Sequence, residues 1–163
     1  MHHLLIPATL LALAAPVAAQ EPVVAGYDPE VLNACISARF GTGVSACAGV
    51  AAEYCTLQDN GSGEEEAMLD CYGAEIAQWD RELSDRYKGL IDLTDDAYPA
   101  EMSSLQDSFA LWRNDACDYD GAYYAAVIGS GLATAQCKVN MTAAEAERLT
   151  ELLNAPPSGE GGM

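Results

Sequence analysis

The chain has 163 residues, with 7 Lys and Arg against 25 Asp and Glu and a formal net charge of −18. That length fits one domain with a modest core. The acidic excess argues against nucleic acid and anionic lipid as partners and favours cationic ones.

Leu4 to Ala15 form an apolar run, short of the roughly 20 residues a bilayer span needs. Val17-Ala18-Ala19 supply small residues for cleavage before Gln20, so residues 1–19 read as a signal peptide. No Cys stands at the cleavage point, hence no lipobox is expected, and no later segment reads as a membrane span. The expected location is periplasmic or secreted. Residues 20–27 read as a mature leader and 28–154 as the folded domain.

Asp28 as N-cap and Pro29 at the first helical position open a helix carrying Val31, Leu32, Cys35 and Ile36 at helical spacing. Gly41-Thr42-Gly43 stop it. Residues 45–57 read as a second short helix capped by Ser45, and 58–63, with Asn60-Gly61, as a turn. A long helix begins near Glu64, with Glu64, Glu65 and Glu66 at the positive end of its dipole. Tyr72, Ile76, Trp79, Leu83, Tyr87 and Leu90 make its apolar stripe. Arg81, Glu82, Asp85, Arg86 and Lys88 form its solvated face, with Glu82 and Arg86 as an i,i+4 pair.

Asp95, Asp96 and Pro99 break the pattern. The next helix runs from about Ala100 to Asp118, with Met102, Leu105, Phe109, Trp112 and Ala116 as its stripe. Residues 118–131 fit either more helix or a packed loop. Thr142 with Glu145 matches a capping box for a last helix ending near Asn154. Residues 155–163 read as a disordered tail. Period-2 alternation is nearly absent, so the fold class is all-α: a small disulfide-stapled domain of about five helices.

Six cysteines in an exported domain read as a disulfide set: Cys35, Cys47, Cys55, Cys71, Cys117 and Cys137. Fifteen pairings are open, about 3 kcal/mol per bridge in the chain-entropy model, and loop closure prefers neighbours: 35–47, 55–71 and 117–137. A zinc site is disfavoured because no C-x-x-C occurs and the histidines, His2 and His3, leave with the signal. Without histidine no Ser-His or Cys-His nucleophile can form. Asp118-Tyr119-Asp120-Gly121 hints at a calcium loop but fails the EF-hand pattern at Ala116. Carboxylates are plentiful, yet no pair stands out for glycoside hydrolysis. No catalytic residue, cofactor or metal is therefore expected. Asp80 and Arg113 flank two aromatic seams with opposite charge and are expected to pair across their helices.

The pattern of Cys71, Glu75, Trp79-Asp80, Leu83, Tyr87 and Leu90 resembles the first half of the LprI-type lysozyme-inhibitor domain, long catalogued as a bacterial domain of unknown function. Gln106, Phe109, Arg113, Asp115, Cys117, Cys137 and Met141-Thr142 resemble its second half, and the likeness covers about residues 35–153. Ser84 stands where the family usually has Asn, Phe109 where it has Trp, and Asn114 interrupts its Arg-Asp pair. The resemblance implies that Trp79, Asp80, Leu83, Tyr87, Gln106, Phe109 and Arg113 are packing and ion-pair positions. It further implies a non-catalytic partner of a cationic lysozyme or another peptidoglycan hydrolase. Acidic loops at 58–66 and 92–96 offer contact on charge alone. The rival readings are an envelope interaction protein without lysozyme binding and a carboxylate-based hydrolase.

Overall fold

The computed structural model describes residues 24–39, 43–58, 64–93 and 99–155. The expected signal peptide, most of the leader, Gly41 and Thr42 of the expected helix stop, residues 59–63 of the turn expected at 58–63, the break at Asp95 and Asp96, and the tail from residue 156 lie outside the described residues. Within them the order is α1 (Pro29–Ala38), a 3-10 turn (Val44–Cys47), α2 (Val50–Gln58), α3 (Glu65–Leu93), α4 (Pro99–Ile128) and α5 (Ser130–Asn154). The fold is all-α, as expected.

Asp28 caps α1 by accepting from the Glu30 backbone N–H at 3.0 Å, with Pro29 at the first position. Leu32 and Ile36 then point inward. The expected seam of α3 is the centre of the core: Trp79, Leu83, Tyr87 and Leu90 are buried, Trp79 completely. It packs on α5, whose buried face is narrow: Ala135, Val139, Ala143, Ala146 and Leu149. Small residues let the two long helices approach closely. Val24 and Tyr27, placed by sequence in the leader, also pack against this core.

Three disulfides join successive elements. Cys35–Cys47 ties α1 to the 3-10 turn, Cys55–Cys71 ties α2 to α3, and Cys117–Cys137 ties α4 to α5. These are the nearest-neighbour pairs, closing spans of 12, 16 and 20 residues.

Three local expectations are corrected and one open alternative is decided. Ser45 does not cap α2. It lies in the 3-10 turn, where its N–H donates to Glu147 Oε2 at 3.1 Å, and α2 starts later, at Val50. Second, of the two readings open for residues 118–131, the helical one holds: α4 continues past Asp118 to Ile128, where Ala122, Ala125 and Ala126 are strong helix formers. Third, Thr142 is no cap. It sits inside α5, its hydroxyl donating to the Lys138 carbonyl at 2.7 Å. Its capping-box match is overruled because α5 already began at Ser130. Fourth, the stripe assigned to the core on α4 faces outward at Leu105 and Trp112. The buried residues of α4 are Arg113, Cys117 and Gly121.

The α4–α5 turn is one residue, Gly129, with φ of 84° that favours glycine. Eight residues earlier, Gly121 sets the helix spacing. A Cβ there would press on Thr134 Oγ1 and lie 2.9 Å from the Ser130 carbonyl oxygen. Backbone cannot yield as a flexible side chain can. Gly121→Ala is expected to cost about 1–3 kcal/mol in denaturant unfolding, despite alanine's better helix propensity. An equal or higher midpoint would show that the two helices are not held at this distance.

Candidate functional site

Glu75 is fully buried on α3, and its carboxylate meets the start of α2. The Gly49 N–H donates to Oε1 at 2.7 Å and the Ala52 N–H donates to Oε2 at 2.6 Å. Trp79 Nε1–H, one turn along α3, donates to Oε1 at 3.0 Å. A distant side chain thus supplies the cap that α2 lacks locally, at the positive end of its dipole. Burial pushes the Glu75 carboxyl above the usual range, and these N–H groups pull part of the way back.

Across α3 and α4, Arg113 reaches Asp80 through Nη1 to Oδ1 and, more loosely, Nη2 to Oδ2 at 3.5 Å. The expected pair therefore forms. The same Nη1 donates to Thr142 Oγ1 of α5 at 2.7 Å, so one guanidinium links three helices. It also lies 5.9 Å from the Phe109 ring centroid, a cation–π distance. Arg113 is buried while the Asp80 side chain is nearly half exposed. The carboxylate stands at the lip of a groove of about 220 Å³ lined by Leu83, Gln106, Asp107, Phe109, Ala110 and both charged partners. The structure thus brings Asp80, Leu83, Gln106, Phe109 and Arg113 together. It keeps Trp79 and Tyr87 in the core.

Residues 55–149 match the family described as Lysozyme inhibitor LprI. The chain belongs to the LprI family. No curated protein and no solved structure matches it. The LprI match contains Glu75, the Asp80–Arg113 pair, the groove and two of the three disulfides. The α1 helix and Cys35–Cys47 lie ahead of it.

Three sets of contacts made by residues of the LprI match, Tyr87, Arg86 and Gln78, are not foreseen by sequence. Tyr87 donates to Glu145 Oε1 at 2.8 Å, and Arg148 holds the other side of that carboxylate, with Nε 2.7 Å from Oε2. Arg86, assigned to the solvated face, is buried instead. It donates to Thr150 Oγ1 at 2.9 Å and keeps its expected partner Glu82 at 2.7 Å. A long side chain can bury its stem against α5 while its head remains paired. Gln78 bridges α3 to α1, donating to Asn33 Oδ1 at 2.8 Å and accepting from Tyr27 at 2.6 Å. Amphipathic period marks such positions as flanks but not their partners. Of the acidic loops, Glu64 to Glu66 lie at the start of α3 and Asp92 bonds Lys88 at 2.8 Å. Among the described residues no group of three or more His, Cys, Asp or Glu could hold a metal.

Two stability predictions follow from these contacts. Glu75→Gln leaves one of the three N–H donors facing an amide N–H₂. A loss of about 2–3 kcal/mol is expected in denaturant unfolding, the cost of a stranded buried donor. A change below about 0.5 kcal/mol would remove Glu75 as the α2 cap. The second concerns alkali. Burial and then the Glu145 carboxylate push the Tyr87 hydroxyl up to about 12. Burial raises the Glu145 carboxyl, but bonds from Arg148 and Tyr87 outweigh it and leave it below its ordinary value. An unfolded tyrosine ionises near pH 10. Stability contributed by Tyr87 is thus present below pH 10 and lost as pH rises toward 12, by up to about 1.4 kcal/mol per pH unit. Tyr87→Phe should lower stability at pH 7 yet flatten its fall above pH 10. Parallel pH profiles for the two proteins would contradict this.

Proposed function

We propose that this protein is an exported, non-catalytic binding protein that inhibits a cationic lysozyme or a related peptidoglycan hydrolase. The observation that carries the reading is the LprI match over residues 55–149. Charge supports it. A net charge of −18 attracts strongly basic lysozymes, with steering effective within a Debye length of about 8 Å at physiological salt. Export is supported by the Leu4–Ala15 run followed by Val17-Ala18-Ala19, and by three disulfides of the kind that persist in oxidising compartments. No helix among the described residues is long and apolar enough to cross a membrane. A non-catalytic role is supported by a sequence without histidine after His3, which withholds the commonest general base.

The test is a cell-wall lysis assay in which the protein from Gln20 onward is titrated into several lysozyme types, at low and at physiological salt. Dose-dependent inhibition is expected, stronger at low salt. No inhibition of any type, including a lysozyme from the source organism, would end this reading in favour of an envelope interaction protein. Release of sugar fragments by the protein itself would instead reveal a hydrolase.

A further inference from the structure

The outward face of α4 is apolar and uncovered by the described residues. Leu105, Trp112, Tyr119, Tyr123 and Val127 are 53%, 61%, 71%, 70% and 77% exposed. Their order is regular. Leu105, Trp112 and Tyr119 recur every seven residues, with Tyr123 four further on, while Met102, Phe109 and Ala116 between them are half-buried and lean toward the core, the alternating steps of three and four of a heptad pattern. On other elements exposed large apolar residues are few, the pair Tyr54 and Leu57 on α2, Leu93 on α3 and Leu152 on α5, which is ordinary for a protein surface. A continuous stripe with a heptad period is not, and marks an interaction surface.

The rim of the stripe selects the partner. Glu101, Asp115 and Asp120 occupy flanking heptad positions, and the one flanking base, Arg113, is buried and engaged by Asp80 and Thr142. A second copy docking seam to seam would set acid against acid, which costs stability. A basic rim would complement it. The aromatic members also suit anchoring, since Trp and Tyr dominate binding energy at interfaces and lose few rotamers. Trp112 is steadied by Phe109, their ring centroids 6.2 Å apart, and Tyr123 stacks edge-on to Tyr124 at 4.9 Å.

We propose that the exposed heptad face of α4 is the docking surface for a cationic protein that presents an apolar patch ringed by Lys and Arg. The identity of that protein as a lysozyme-class hydrolase rests on the function proposed above. The chemistry of the face does not.

The experiment measures binding by calorimetry with two kinds of probe: the lysozymes of the lysis assay, including one from the source organism, and a synthetic amphipathic helix with Leu at a and d and Lys at e and g. The proteins are wild type, Trp112→Asp/Tyr119→Asp, Asp115→Lys/Asp120→Lys, and the control Leu57→Asp on α2. All substitutions lie at exposed or partly exposed positions, and circular dichroism verifies folding. Both probes should bind wild type and Leu57→Asp alike, and bind the aromatic double variant at least tenfold more weakly. The charge-reversed variant should also lose affinity, most at low salt. Lysozyme binding undiminished in the aromatic variant overturns the face while leaving the inhibitor reading intact. Peptide binding that needs Trp112 and Tyr119, with no lysozyme bound, overturns the inhibitor reading while leaving the face intact. Failure of both probes overturns both. Full affinity in the charge-reversed variant overturns the basic partner. Sedimentation of wild type as a dimer and of the aromatic variant as a monomer assigns the face to a second copy instead.

Discussion

The arrangement of the first half of the molecule depends on one carboxylate. Taking an ionised Glu out of water costs several kcal/mol. Glu75 offsets this with three N–H donors, two from the start of α2 and one from Trp79, at roughly 1.5–3 kcal/mol per bond to a charged acceptor. The balance is near neutral for stability but demanding in geometry. Gly49, whose φ of 86° suits glycine, delivers its N–H to Oε1 and turns the chain from the 3-10 turn into α2. With α2 so aimed, Cys55 faces Cys71 across the α2–α3 boundary. The buried indole of Trp79 is held in place by the same carboxylate. The "E…W" spacing within the LprI match is therefore a cap reaching from one helix to another.

The second half is organised by Arg113. Its partners sit on α3 and α5, so the long α4 helix is fixed in rotation by a residue near its middle. An exposed ion pair contributes little, about 0–1 kcal/mol. Here the guanidinium is buried and Asp80 is its accessible end, which places the pair between that case and a fully buried one. The pair matters more for which face of α4 turns inward than for net stability.

That choice of face also shows where sequence is legible and where it is not. The α3 seam from Trp79 to Leu90 is readable because large apolar residues repeat along one face. The α1 cap is readable because Asp28-Pro29 satisfies local rules. The nearest-neighbour disulfides follow from loop closure. On α4, however, two faces repeat with helical spacing: an aromatic one, and a small or polar one through Gln106, Ala110, Arg113, Cys117 and Gly121. Hydrophobicity ranks the aromatic face first. Packing takes the other, because α5 offers an alanine-lined surface that a disulfide and Gly121 can approach closely. Thr142 misleads for a related reason, as a Thr followed by Glu three residues on looks the same whether the chain arrives as loop or as helix. Glu75 stands out by its motif, but its role as a cap needs α2 in place to be seen.

Between Arg113 and the turn at Gly129, α4 is anchored from behind three times: by the Asp80–Arg113–Thr142 contacts, by Cys117–Cys137, and by the close seat of Gly121 on Thr134. Its outer aromatics therefore ride on a helix whose backbone has already lost its freedom during folding. Ordering a flexible loop on association costs about 1–2 kcal/mol of backbone entropy for each residue fixed, besides what its side chains lose. A helix braced on its far side avoids most of the backbone share of that loss. Recognition through such a surface resembles rigid-body docking, in which diffusion and charge set the rate of encounter and the aromatic contacts set how long the complex lasts.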